Sequence, residues 1–258
     1  VFFSHYAGTG PAILADINPR LVATYLAVRD HVDDVIAELA KHQPHYGREH
    51  YNKIRERLNT EPDAPLVERA AWMLLINRWG FNGLYRESRI GDCHVSFGKP
   101  SKAGTVPALC DAERCTRLRA CARALRGVDV RRADLEATMG EAEKGDVVFI
   151  DPPYVAVSKT ANFTTYSARG FSGKSAQSSL FGAKSDQERL VDGLHRLDRI
   201  GARFIVTNSD TKTARALYEG WTIAAARVKR SINSDTEARG EVGEIIVTNF
   251  KAGKARVR

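Results

Sequence analysis

The sequence predicts an α/β fold, an open sheet with helices and a mainly helical lobe inserted into it. Three observations carry that expectation. Short apolar runs of strand length, Val147-Val148-Phe149-Ile150 and Arg203 to Thr207 among them, alternate with longer stretches of helical period such as Leu190, Leu194 and Leu197. The run at Val147 reads as a buried strand and ends at Asp151-Pro152-Pro153-Tyr154, where two prolines stop the ladder at the strand end that binds ligands in open α/β sheets. The length of 258 residues, with 43% hydrophobic content, suffices for one large α/β domain with an added lobe.

Taken in order, the chain opens with an apolar run and a Gly8-Thr9-Gly10 turn, followed by a second strand at Ile13-Leu14-Ala15-Asp16. Pro19 onward reads as a helix with apolar positions Leu21, Tyr25, Leu26 and Val28, and Val32 to Leu39 continues helical. Lys41 to Pro65 is charged and polar. It holds His42, His45 and His50, and Pro44 argues against a helix that would align them, so they read as solvated surface histidines with no metal. Ala64 to Trp79 is alanine-rich and apolar, a buried helix. Ala112 to Leu125 is a helix with an apolar stripe of Cys115, Leu118, Ala122 and Leu125, and Arg114, Arg117, Arg119 and Arg123 around its polar face. Val128 to Val130 is a short strand. Arg169 to Ser185, rich in Gly, Ser and Lys, reads as a loop. Ser185-x-x-Glu188 is a capping box that opens the next helix. Trp221 to Val228 and Glu244 to Phe250 complete the sheet with an antiparallel edge. The resulting division places a catalytic domain at 1–44 and 126–258 and a recognition lobe at 45–125.

The turn at Asp151 has a definite chemistry. An amino group on a nucleobase is a poor nucleophile because its lone pair is delocalised into the ring. A carboxylate accepting one N–H, with the carbonyl of Pro152 accepting the other, favours the pyramidal, nucleophilic form. Tyr154 would stack on the base, a contact worth roughly 1–3 kcal/mol. The electrophile can be a methyl group on a sulfonium, which needs no metal. The target atom is inaccessible in a duplex, so the base must flip out. The polar segment Ala161-Asn162-Phe163-Thr164-Thr165-Tyr166 supplies two aromatic rings to a loop that can fold over such a base.

The run from Asp151 through Tyr166 resembles Dam-type DNA adenine-N6 methyltransferases, whose signature turn is Asp-Pro-Pro-Tyr. The resemblance implies a Rossmann-like S-adenosylmethionine-dependent sheet and methyl transfer to adenine N6 of duplex DNA. It spans almost the whole chain in order. Asp16, Ile17 and Asn18 look like the family's second strand end, whose acidic residue binds the cofactor ribose, and Asp134-Leu135 stands where the family has an Asp-Phe pair on the cofactor's adenine. Asp151 itself counts among the cofactor contacts. Phe81-Asn82-Gly83-Leu84, Arg86 and Ser96-Phe97-Gly98 resemble the target-recognition hairpin. Glu87 and Ser88 stand where members acting on GATC carry an aromatic and an amide residue, His94 and Ser96 replace Asn and Pro, and Arg89 could pair with guanine O6 and N7. Val206 to Thr211 resembles the late strand and turn, and Lys229-Arg230-Ser231-Ile232 with Glu244 to Val247 the closing hairpin. The DNA contacts implied are Asn82, Arg86, Arg89, Asn162, Phe163, Tyr166, Lys229 and Arg230, with Arg117 and Arg119 on phosphates.

The family's Phe-x-Gly-x-Gly loop is absent from these residues. The expectation is that an upstream segment or a second chain supplies it. Two other readings stay open: a cytosine-N4 enzyme, though these more often carry Ser at the position of Asp151, and a DNA-binding subunit or remnant without catalysis. The formal net charge of +8 suits a polyanionic partner. No apolar stretch is long enough for a membrane span. Cys93, Cys110, Cys115 and Cys121 fit no common zinc spacing and read as core thiols, which suits the cytoplasm of a bacterium or of a phage-infected cell.

Overall fold

The computed structural model describes residues 2–6, 10–88, 90–99, 104–155, 186–229 and 241–251. The described residues divide into two compact units, those up to Asp134 and those from Leu135 onward. The fold is mixed α/β in both.

In the first unit, a short helix α1 (Phe2–His5) precedes strand β1 (Ile13–Asp16). Helix α2 (Pro19–Asp30) starts at Asn18, whose side-chain oxygen accepts from the N–H groups of Arg20 and Leu21 at 2.9 and 3.3 Å, with Pro19 in the first helical turn. The helical stretch breaks at His31, and α3 (Val32–His42) follows. A 3₁₀ turn at Gln43–His45 leads to α4 (Arg48–Thr60), then α5 (Leu66–Trp79) and a second 3₁₀ turn at Phe81–Gly83. Helix α6 (Ala112–Ala124) leads to β2 (Asp129–Arg132), which pairs in parallel with β1. Helix α5 is the hub. Ala70, Ala71, Trp72, Leu75 and Ile76 are fully buried against Val35, Leu39, Tyr51, Ile54 and Leu58.

Helix α4 differs from the expectation for a polar Lys41 to Pro65. Its buried face is only Tyr51, Ile54 and Leu58, an i, i+3, i+7 stripe set among charges. His42 also departs from the surface reading. It is buried, with its Nδ1 3.0 Å from Nε2 of His50, and the His45 and His50 rings lie 5.2 Å apart. Pro44 ends α3 and turns the chain into α4, and this reversal brings the three rings together.

The second unit contains α7 (Leu135–Gly140), β3 (Val147–Ile150), α8 (Asp186–Ile200), β4 (Arg203–Ser209), α9 (Lys212–Leu217), β5 (Thr222–Lys229) and β6 (Glu241–Thr248). The strand order is β3-β4-β6-β5, with β3 parallel to β4 and the rest antiparallel. Leu190, Leu194 and Leu197 of α8 are fully buried against this sheet, with Phe204, Val206, Ile245 and Val247. β3 departs from the expectation of a buried strand. Val147 is 63% and Phe149 40% exposed, because β3 pairs only with β4 among the described residues and sends Val148 and Ile150 inward.

Candidate active site

The parallel pairing of β1 and β2 sets Asp16 beside Arg132, so Asp134 follows two residues beyond the neighbouring strand end. Arg132 donates to the carbonyl of Ile17 at 3.2 Å. Asp16 is partly buried. Its Oδ1 accepts the Asn18 N–H at 2.7 Å. Burial pushes its carboxyl above the ordinary range; the Asn18 N–H works against that, and the nearby Glu87 adds to the rise.

Asn18 is fully buried, and its side-chain nitrogen donates to Oε1 of Glu87 at 3.2 Å. The same oxygen accepts the Tyr85 hydroxyl at 2.6 Å and the Arg20 guanidinium at 3.3 Å. Arg20 also donates to the carbonyl of Gly91 at 2.8 Å. Glu87 is only 5% exposed. It stands at a position compared above with a residue of the recognition hairpin, yet it points inward and fastens that segment to the end of β1. Burial, and then the Glu87 contact, hold the Tyr85 phenol well above its usual range, against the pull of Arg20.

The segment after α5 is an irregular loop with isolated antiparallel bridges, Gly80 to Phe97 and Glu87 to Cys93, instead of a regular hairpin. Its base is tight. A Cβ on Gly98 would come within 2.7 Å of the Gly80 carbonyl oxygen. Asn82 is exposed and has φ of 54°, followed by Gly83 at 65°, the left-handed conformation that Asn and Gly tolerate best. The Asn-Gly pair thus has a conformational reason apart from any DNA contact. Arg86 is exposed. On α6, Arg117 pairs with Glu113 at 2.7 Å and Arg119 with Asp33 at 2.8 Å, and both remain exposed.

In the second unit, Asp151 follows the last residue of β3. Pro152 is buried, Pro153 and Tyr154 are partly buried, and Asp151 is exposed. Thr207 of β4 donates its hydroxyl proton to Oδ1 of Asp151 at 2.5 Å. The Tyr154 hydroxyl reaches Oε2 of Glu244 on β6 at 3.5 Å, and burial raises the phenol above its ordinary range, with the Thr207 hydroxyl working against the rise and the Asp151 and Glu244 carboxylates adding to it. The chain beyond the turn is pinned to the end of β4. Asn208 Oδ1 accepts the Val155 N–H at 2.9 Å, and the Ser209 hydroxyl donates to the Val155 carbonyl at 2.5 Å.

Leu135 begins α7 and packs against the core of this second unit. Arg89, Asn162, Phe163, Tyr166 and Arg230, along with the Arg169–Ser185 loop, lie outside the described residues; Lys229 is placed only as the end of β5. All four cysteines are free, but only Cys93 is buried. Cys110 and Cys121 are half-buried and packed against core clusters, so the core-thiol reading holds for Cys93 and in part for these two, while Cys115 is half-buried outside the clusters. No described helix is long and apolar enough to cross a membrane. Sequence reasoning missed Glu87 as a buried anchor, and Thr207 and Glu244 as partners of the Asp-Pro-Pro-Tyr turn. Each contact joins residues far apart in sequence, and no local motif marks it.

The model of the D12 class of N6 adenine-specific DNA methyltransferases matches residues 1–232. A type II methyltransferase of Lactococcus lactis is 30% identical over 260 aligned positions, covering 96% of this chain and 86% of the relative. One from Methanocaldococcus jannaschii is 28% identical, over 92% of this chain and 80% of the relative. A DNA adenine methylase of Vibrio cholerae is 30% identical, over 91% and 78%. With a strand-end carboxylate on each unit and this match across most of its length, the chain belongs to the D12 class of N6 adenine-specific DNA methyltransferases, which take their methyl group from S-adenosylmethionine.

Proposed function

We propose that Asp151, Pro152, Pro153 and Tyr154 form the catalytic turn for methylation of a flipped adenine in duplex DNA. The observation that carries this is the Asp151 carboxylate, exposed at the C-terminal end of β3 yet held by Thr207, with Tyr154 three residues on. Asp151 accepts one N6–H and the Pro152 carbonyl the other, which localises the nitrogen lone pair for attack. The surplus proton of the alkylated nitrogen leaves by way of Asp151. Tyr154 stacks on the base, and Asn162, Phe163 and Tyr166 close over it.

S-adenosylmethionine, when bound, supplies an electrophilic methyl group on a positively charged sulfur. The residues present fit its nucleoside end. Asp16 is a strand-end carboxylate, an acceptor for two ribose hydroxyls, and its turn is already shaped by the Asn18 N–H. Ile17 and Asn18 frame the same turn, and Asp134 and Leu135 take the cofactor's adenine. The recognition lobe is residues 45–125. Within it Asn82, Arg86 and Arg89 face the DNA, Arg117 and Arg119 lie along phosphates, and Lys229 and Arg230 add contacts from the closing hairpin. The likeness to both type II methyltransferases and DNA adenine methylases supports either a restriction-associated or a maintenance role in a bacterial or phage-infected cytoplasm.

The sheet is Rossmann-like in this reading. Methylation-sensitive sequencing of DNA from cells expressing the gene, with and without Asp151→Ala, tests the function. Methylated adenine in one sequence context, lost in the variant, is the expected result; methylated cytosine would select the N4 reading. Removing the Arg117 and Arg119 charges should flatten the salt dependence of DNA binding on every sequence, by about 0.9 in slope for each phosphate no longer neutralised. Arg89→Ala should instead relax sequence preference, by about 1–3 kcal/mol. Identical effects of both changes on every duplex would refute this division of base and phosphate contacts.

A further inference from the structure

The roles assigned to the Asp-Pro-Pro-Tyr turn all belong to the turn itself, and the neighbouring strand holds a side chain that none of them uses. Ile150 and Val206 are parallel partners, and both point into the core of the second unit, at 6% and 0% exposure. Side chains alternate along a strand, so the next residue on each, Asp151 and Thr207, turns to the opposite face. There the Thr207 hydroxyl donates to Oδ1 of Asp151 at 2.5 Å. Tyr154 shares hydrogen bonds with both side chains, and Glu244, opposite Ser209 on β6, lies within 3.5 Å of its hydroxyl.

An exposed carboxylate samples several rotamers unless a neighbour holds one of them. Threonine suits that task. Its χ1 is stiff because Cβ carries two heavy atoms, so the hydroxyl is a donor already fixed by the strand. The rotational freedom of Asp151 is then lost on folding and not at the moment of reaction. Strand pairing does not depend on this bond. β3 and β4 pair from Val147–Arg203 to Ile150–Val206, and Val155 is anchored separately by Asn208 and Ser209.

We infer that Thr207 is a positioning residue for methyl transfer, fixing Oδ1 of Asp151 so that the carboxylate meets the incoming amino group in one orientation. This rests on the reading of Asp151 as acceptor of an amino N–H. Valine at this position keeps the shape and loses the donor, while serine keeps the donor on a looser stem. The test measures transfer of labelled methyl from S-adenosylmethionine to unmethylated bacterial DNA by the full-length gene product, varying each substrate, for Thr207→Val, Thr207→Ser and Asp151→Ala. Thr207→Val should lower kcat about tenfold or more, the scale set by a small misplacement of a reacting group. The KM for DNA, the KM for cofactor and the unfolding temperature should stay at parent values, and Thr207→Ser should recover most of the rate. A kcat near the parent's in Thr207→Val, beside an inactive Asp151→Ala, overturns the positioning role alone. A fall in kcat that follows a lowered unfolding temperature and is equal in Thr207→Ser overturns it too, as a structural effect. An active Asp151→Ala overturns the reading on which the inference rests.

Discussion

At the end of β1, Asp16 is partly buried, bonded to the N–H of Asn18, and backed by a fully buried asparagine and a glutamate that is only 5% exposed. At the end of β3, Asp151 is exposed, and among the described residues its fixed support is a neighbouring strand's hydroxyl and the tyrosine of its own turn. The same residue type at the same place on a parallel strand is thus held in two ways. The first turn is shaped by its own backbone and by buried charge, which suits a ligand that always presents the same diol. The second leaves its carboxylate open to an incoming group and fixes only its orientation. Burial would cost Asp151 its access, and exposure would cost Asp16 its preorganisation.

The largest effect that tests this contrast is on chemistry. Asp151→Ala should cut methyl transfer by at least about a hundredfold, the usual scale for a group that acts on charge developing in the transition state. DNA binding and unfolding temperature should hold, since the side chain is exposed and the turn is set by two prolines and by Asn208. Single-turnover rates and duplex binding on one preparation would check both halves. Activity within a few-fold of the parent would remove Asp151 from the reaction.

The two turns are also unequally legible in the sequence. Asp151 can be placed from local signals alone, an apolar run stopped by two prolines. Asp16 is found by its place after a strand and by resemblance, but its support is hidden. Asn18 can be read as a helix cap, whereas its bond to Glu87 joins positions 69 residues apart. Glu87 sits in a polar stretch that reads as surface, and only the folded loop turns it inward. Thr207 and Asp151 are 56 residues apart and meet through strand register, which pattern does not reveal. Helix α5 is legible because it is apolar nearly all round and the leucines of α8 because their apolar period is unbroken, while α4 is lost among charges.

The next effect in size separates the turns by stability. Glu87 Oε1 accepts from Asn18, Tyr85 and Arg20, so Glu87→Ala removes a buried acceptor that three donors share. The loss should be at least about 1.5–3 kcal/mol, the worth of one hydrogen bond to a charged group. Glu87→Gln keeps an acceptor oxygen and should lose less. Urea unfolding of both variants would measure this, with Thr207→Val as the matching change at the other turn and little stability loss expected there. Equal losses in all three would mean that the two turns are not held differently.

The smallest effect is also the most specific to Asp16, because it acts with opposite signs on stability and on binding. Burial raises the Asp16 carboxyl, so the folded chain holds that proton more readily than the unfolded chain does. The stability this adds is complete below the ordinary aspartate value of 3.8 and is lost as pH rises through the raised folded value. At neutral pH the ionised carboxylate is therefore a burden on the cofactor-free protein. Asp16→Asn removes the charge and keeps an oxygen for the Asn18 N–H. The cofactor-free variant should unfold at a higher temperature than the parent at neutral pH, and the difference should close on acidification. Its affinity for S-adenosylmethionine should fall by about 1.5–3 kcal/mol, roughly tenfold or more, for the loss of a charged acceptor on the ribose. The parent's own affinity should begin to weaken, as pH is lowered, above the range of an ordinary aspartate. Calorimetric titration across that range, with scanning calorimetry of the empty protein, reads all three. Unchanged affinity in Asp16→Asn would show that the ribose is held elsewhere, and a lowered unfolding temperature would show that the Asn18 N–H outweighs burial and the Glu87 charge at this turn.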